Sequence, residues 1–412
     1  MSVAPQAISF GCRLNSYEAE VMRDHAAAAG LEHAVIVNTC TVTAEAERQA
    51  RQAIRKLRRE QPGAKIIVTG CAVQVHHASF AAMPEIDHII RNDAKLDLQS
   101  FQDLNAGVGA STPPAAISAP AVACFAHGPR GFVAVQNGCD HRCTFCIIPY
   151  GRGPSRSVPL GAVVEQTRAL LAGGTPEIVL TGIDLTSYGT DLPGTPTLGQ
   201  MVRRLLAQVP ELRRLRLSSL DPAALDDDLW HLIAHEPRLM SHLHFSIQAG
   251  DDMVLKRMKR RHTRAQALAA CRRAHALRPD VVLGADLIAG FPTETDAMFV
   301  QTHDFIKEAD LTWLHVFPYS ARNGTPAAKM PQVPGTIRKE RAAALRALGQ
   351  AQVQKRLAGM HGLVTEILVE QPGIGRTPQY AALRFAGDVA RGSVIPMRVT
   401  GHQDDFLLGA VA

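Results

Sequence analysis

Short apolar runs alternate with amphipathic stretches along the first hundred residues. The pattern predicts a strand at Ala7–Phe10, a helix from about Tyr17 to Ala29, a strand at Ala34–Val37, a long helix from Ala44 to Glu60 and a strand at Lys65–Thr69. This βαβαβ rhythm implies a small doubly wound α/β domain, in which ligands gather at the carboxyl edge of the strands. From Asn105 to about Ala121 the chain turns to Ala, Gly, Ser, Thr and Pro without a charge, a composition that buries no face and reads as a linker.

A second α/β series begins at Gly131–Gln136. Apolar strand candidates recur at Glu177–Leu180, Leu215–Ser218, Leu243–Ile247, Val281–Ile288 and Trp313–Phe317, with helical stretches between them. Strands alternating with helices over this length predict a full or partial (β/α) barrel, with its working loops at the strand C-termini. A helix from about Thr336 to Ala358 leads into a change of texture. The last stretch has β-type runs at Val364–Val369, Tyr380–Phe385, Val394–Val399 and Phe406–Leu408, broken by Gly and Pro, which predict a small β-barrel. The α/β chain thus divides into an N-terminal doubly wound domain over 1–104, a linker over 105–124, a central (β/α) barrel over 125–356 and a C-terminal β-barrel over 357–412.

At 412 residues, two or three cores are expected. No stretch approaches the roughly 18 apolar residues of a membrane span, and the N-terminus lacks the basic and apolar regions of a signal peptide, so a cytoplasmic monomer without membrane contact is the simplest expectation. The net charge of +6 alone does not mark a nucleic-acid binder, but its distribution is uneven. Arg48, Arg51, Arg55, Lys56, Arg58 and Arg59 crowd one predicted helix. Lys256, Arg257, Lys259, Arg260, Arg261 and Arg264 form a second knot. Arg55 and Arg260 stand for these two candidate RNA contacts. The C-terminal barrel has four arginines against five carboxylates and is not basic.

The cysteines change the picture most. Cys139, Cys143 and Cys146 share one short polar loop, with Phe145 between the last two. Three soft thiolates at this spacing suit an iron–sulfur cluster that keeps one iron open to a small molecule. Zinc fits less well, since the nearest fourth ligands, His141 and Cys124, lie inside the loop and well upstream of it. Cys12, Cys40 and Cys71 each follow one of the first three strands, so the topology brings them to one sheet edge. Cys124 and Cys271 match neither group and read as ordinary buried thiols.

The loop Cys139-Asp-His-Arg-Cys143-Thr-Phe-Cys146 resembles that of the radical S-adenosylmethionine (SAM) superfamily. Together with the N-terminal cysteines, the barrel and the β-rich tail, the chain resembles the methylthiotransferase branch of that superfamily. Further similar blocks are Ile148-Pro-Tyr-Gly-Arg152, Leu180-Thr-Gly-Ile-Asp, Phe245-Ser-Ile-Gln-Ala-Gly250, Gly290-Phe-Pro-Thr-Glu294 and Phe317-Pro-Tyr-Ser-Ala-Arg-Asn-Gly-Thr325. The resemblance implies two [4Fe-4S] clusters: a SAM-binding one on Cys139, Cys143 and Cys146, and an auxiliary one on Cys12, Cys40 and Cys71. It implies a radical SAM core and a TRAM-like C-terminal barrel that binds RNA. Phe145, Thr181, Gly182, Ser218, Ser219, Gln248, Asp286 and Gly290 match positions that meet SAM. The implied reaction is insertion of a methylthio group at an unactivated carbon. SAM cleaved at the open iron gives a 5′-deoxyadenosyl radical, a second SAM gives the methyl group, and a flavodoxin-type reductant supplies electrons.

Three substrates are open on this resemblance: tRNA with threonylcarbamoyladenosine 3′ of the anticodon, tRNA with isopentenyladenosine there, and an aspartate of a ribosomal protein. The words Gly11-Cys12-Arg13-Leu14-Asn15-Ser16-Tyr17-Glu18 and Asn38-Thr39-Cys40-Thr41-Val42-Thr43 resemble the threonylcarbamoyl branch, with Arg13-Leu14 and Ser16 departing from its commoner pattern. The basic knots favour tRNA. A non-catalytic iron–sulfur protein that binds or senses RNA is the alternative of a different class.

Overall fold

The computed structural model describes residues 3–107 and 128–412. Strands Gln6–Ser9, Ala34–Thr39, Lys65–Gly70 and His88–Ile89 form one parallel sheet in sequential order. Alternation along its strands sends Val35, Val37, Ile66 and Val68 to one face, against Ile54, Leu57 and Phe80, and Ala34, Ile36 and Ile67 to the other, against Ala19, Met22 and Phe101. Helices therefore cover both faces. The fourth strand was not foreseen, being too short to carry a pattern. The first helix runs Arg13–Ala28 rather than from Tyr17, because Asn15 ties its first turn to the sheet through the carbonyls of Phe10 at 2.7 Å and Thr39 at 3.2 Å.

Six parallel strands follow in two sets of three: Arg130–Ala134, Glu177–Thr181 and Arg214–Leu217, then His242–Gln248, Val282–Ala289 and Leu311–Pro318. Single bridges at Leu215–Leu239 and Leu220–Phe245 join the sets. No pairing joins the first strand to the last among the described residues, so the barrel is partial and open. Leu14, Tyr17 and Val21 of the first helix pack on Phe132 and Ala134 along that open margin, and Gln166 donates to the Tyr17 hydroxyl at 3.0 Å.

The chain ends in a closed antiparallel-rich barrel built from Val364–Gln371, Ile374–Arg376, Ala382–Phe385, Val394–Gln403 and Phe406–Val411. Tyr380 was expected to open a strand. It instead has φ of +73°, leaves the sheet and stacks on His242 of the central barrel, with ring centroids 5.0 Å apart. Around it Arg216 donates to the carbonyls of Thr377 at 2.9 Å and Pro378 at 2.8 Å, and Trp313 Nε1 donates to Gln379 at 3.0 Å. The helix Gly335–Ala358 belongs to two cores: Ala342 and Leu345 pack on the partial barrel, Val353 and Leu357 in the terminal one. A division at 356 falls inside it. Asn105, placed in the linker, closes the helix Leu98–Asn105. The rest of the linker from 108 and Cys124 lie outside the described residues.

Candidate functional site

Cys40 and Cys71 each follow directly on a strand of the sheet, and Cys12 stands three residues past the end of the first. Gly11, at φ of +100°, turns the chain after the first strand so closely against Cys40 that a Cβ there would stand 2.5 Å from Sγ. Gly70, at φ of +102°, delivers Cys71 to the N-terminus of the next short helix, where a Cβ would meet the Thr39 carbonyl at 2.3 Å. A side chain would displace Cys40 itself at the first position and the Thr39 backbone before it at the second. Cys40 and Cys71 are buried and Cys12 is exposed.

The Cys139–Cys146 loop is pinned by its backbone. Cys139 N donates to Gly153, Thr144 N to Met258 at 3.0 Å, and Ala327 N to the Thr144 carbonyl at 2.9 Å. Thr144 Oγ1 adds a bond of 2.7 Å to the Arg257 carbonyl. Burial pushes the Cys139 and Cys40 thiols up to about 11 and Cys146 up to about 12. A metal centre bound among such thiols would draw off their protons. Neither triplet brings its three Sγ within 4.8 Å of one another among the described residues. That spread suits a multi-iron cluster better than one zinc ion. His141 turns its Nε2 to Asp184 at 2.7 Å, not into a four-ligand shell with all three thiols.

A cavity of about 240 Å³ is lined by residues close in the chain to cysteines of both groups. Val42 and Thr43, just past Cys40, form one wall. Phe145, Gln248, Asp286 and Phe317 form the other. Gln248 ends its strand with φ of +75°, an uncommon conformation for a side-chain-bearing residue. Asp286 accepts from His244 Nε2 at 3.0 Å and His315 Nδ1 at 3.1 Å; burial works against its charge, but the two imidazoles hold it well below the usual carboxylate range.

Of the expected SAM positions, Phe145, Gln248 and Asp286 line this cavity, and Ser219 reaches it through Asp286 at 3.4 Å. Thr181, Gly182, Ser218 and Gly290 are not among its lining residues. Gly182 is pressed against Gln136, whose Oε1 accepts from Ile183 and Asp184. Ser218 is buried, and Gly290 packs under Arg338. Arg55 is exposed on its helix. Arg260 is not an outward charge as the basic knot implied: its side chain is 9 % exposed, with Nη1 3.7 Å from Cys143 Sγ and Nη2 bonded to Asp221 and the Ser246 carbonyl. Asp221 draws it inward.

The sequence reading missed a buried ionic centre between the two α/β units. Glu18 is fully buried and meets Lys95 Nζ at 2.5 Å and Arg152 Nη1 at 2.7 Å. Burial would raise its carboxyl, yet Arg152 and Lys95 hold it down to about 2. Burial likewise opposes charge on Arg152, and the neighbouring Cys71 and Glu18 more than offset it. The signal was a carboxylate on the apolar stripe Leu14, Tyr17, Val21.

Known proteins match this arrangement. Residues 133–306 match the Radical SAM superfamily model, and residues 6–91 match the Uncharacterized protein family UPF0004. The solved structure of the radical SAM methyltransferase TsrM from Kitasatospora setae, with tryptophan and a SAM analogue, aligns with TM-score 0.58 at 14 % identity, over 89 % of this chain and 78 % of that one. The partial barrel and its loop therefore define a radical SAM protein, and that membership brings SAM and a [4Fe-4S] cluster. The threonylcarbamoyladenosine tRNA methylthiotransferase MtaB of Rickettsia prowazekii is 48 % identical over 98 % of this chain and 96 % of its own length. That of Bacillus subtilis is 32 % identical over 92 % and 89 %. The tRNA-2-methylthio-N(6)-dimethylallyladenosine synthase of Novosphingobium aromaticivorans is 33 % identical over 98 % and 96 %. The chain belongs to the radical SAM methylthiotransferase family.

Proposed function

We propose that this chain is a tRNA methylthiotransferase that converts N6-threonylcarbamoyladenosine, 3′ of the anticodon, to its 2-methylthio derivative. The observation that carries the reading is the single cavity with residues next to Cys40 on one wall and Phe145 of the three-cysteine loop on the other. The choice of substrate rests on the likeness, over nearly the full length, to the Rickettsia prowazekii enzyme.

Cys139, Cys143 and Cys146 would hold the cluster that opens SAM, and Cys12, Cys40 and Cys71 an auxiliary [4Fe-4S] cluster. Bound there, two such clusters and SAM would supply the radical and methylated-sulfur chemistry. The protein's own groups orient and seal that chemistry. Arg260 offers a buried cation beside Cys143, suited to the carboxylate of SAM. Asp286 and Gln248 offer acceptors in the cavity wall. Phe145 and Phe317 give the cavity aromatic walls. Arg55 and Lys56, exposed on one helix, suit RNA phosphates.

The test is mass spectrometry of tRNA nucleosides from a strain lacking this chain, beside its complemented parent. Loss of 2-methylthio-N6-threonylcarbamoyladenosine with accumulation of its precursor is the expected result. An unchanged profile in cells that make the modification would overturn the reading.

A further inference from the structure

A second cavity, of about 370 Å³, opens beside the first and is lined by Glu47, Arg48, Arg51, His76, Arg322 and Asn323. Between the two sets of lining residues, Ala44 N donates to Ser320 Oγ at 3.1 Å. Thr43 and Ser320 line the first cavity, Ala44 and Ala321 the second. The two cavities are thus neighbours along both segments, 43–44 and 320–321.

The second cavity has more cation than its carboxylate answers. Glu47 is shared, accepting from Arg51 at 3.0 Å on one oxygen and from Arg322 at 2.6 Å on the other, with His76 Nε2 3.5 Å away. Arg322 also donates to Thr41 at 2.6 Å; its side chain is only 6 % exposed, and its Nε–H has no hydrogen-bond partner among the described residues. A buried guanidinium N–H left unpaired is costly, and a ligand oxygen would satisfy it. Arg48 stands at the rim, paired with Glu45 at 2.6 Å, both side chains more than half exposed. Such a pair is weak and yields Arg48 readily to another anion.

We infer that this cavity seats an oxyanion of the substrate, an assignment that rests on the function proposed above. The threonylcarbamoyl arm hangs from N6 and ends in a carboxylate with a neighbouring hydroxyl, on the same edge of adenine as C2. A base set with C2 toward the thiols sends that arm past the Ala44–Ser320 contact to the arginines. A backbone phosphate of the same tRNA is the other source of the same chemistry. An isopentenyl arm, being apolar, would leave the arginines unanswered.

The test uses the full chain with its iron–sulfur centres reconstituted, the variants Arg48→Gln and Arg322→Lys, and one tRNA carrying either threonylcarbamoyladenosine or plain adenosine at the target. Arg48 makes only a rim contact, so Arg48→Gln should match the parent in iron content and melting temperature even if Arg322→Lys does not fold. The expected result is a dissociation constant raised about tenfold for the modified tRNA and unchanged for the plain one, which assigns the carboxylate. Equal weakening of both, with a shallower salt dependence, assigns the seat to a phosphate. Unaltered affinity for both tRNAs in a folded variant overturns the inference. The parent chain separates this from failure of the proposed function: it must form the 2-methylthio product from the modified tRNA.

Discussion

Arg152 Nη1 donates to Glu18 Oε1 across 2.7 Å, binding the segment after the three-cysteine loop to the first helix of the N-terminal unit. Its Nη2 reaches Asn15 Oδ1 at 2.6 Å, three residues from Cys12. One guanidinium thereby fixes the relative placement of the two thiol groups and sets a buried positive charge beside Cys71 and Cys12. Negatively charged iron–sulfur thiolate centres are stabilised by such a charge.

Glu18→Gln strands Lys95 and Arg152 in the interface without a counter-charge. Removing one partner of a buried pair costs about 3–5 kcal/mol, so the urea midpoint should fall markedly. An unchanged midpoint would show that the pair is not structural. The folded carboxyl sits near 2 against an ordinary value of 4.5, so its stabilisation is complete above 4.5 and disappears as pH falls toward 2. The Gln variant should lack that acid-dependent component.

Cys143→Ala should abolish release of 5′-deoxyadenosine from SAM by the reduced, reconstituted protein. Cys40→Ala should keep measurable SAM cleavage while losing methylthiolation of tRNA. Product formation unaltered in Cys40→Ala would refute the auxiliary site.

Arg260→Met should raise the KM for SAM by about ten- to a hundredfold, the loss expected for one charge-assisted hydrogen bond. Plain nucleoside analogues without a carboxylate should bind both proteins alike. A KM equal to the parent's would confine Arg260 to holding Asp221 and the loop.

Phe317 lines the first cavity yet is 40 % exposed, an aromatic face available to an incoming base. Phe317→Ala should weaken tRNA binding by about 1–3 kcal/mol, read by filter binding or fluorescence titration, as loss of one base stack does. Equal affinity in the variant would leave Phe317 as cavity wall alone.

The cysteines and most strands were legible because their signals are local: a fixed spacing in one loop, an apolar run ending in a polar turn. Cys12, Cys40 and Cys71 converge because all three strands run parallel, which the alternation already implied. Glu18, Arg152 and Lys95 were not legible as a set, since their partnership spans 134 and 77 residues and only the packed interface brings them together. Arg260 misled for the same reason: a run of basic residues shows charge density, not which guanidinium Asp221 turns inward. Tyr380 fitted a strand by composition, and its place was decided by the arginines and His242 of another unit.

That placement of Tyr380 bears on how a large folded RNA is handled. Its ring lies under the guanidinium groups of Arg130, Arg216 and Arg376, at 5.5, 5.1 and 4.6 Å from the centroid, while Arg130 also pairs with Glu370. The terminal barrel is thus keyed into the central one like a tenon in its mortise. A tRNA that touches both barrels would meet them at a span these contacts set.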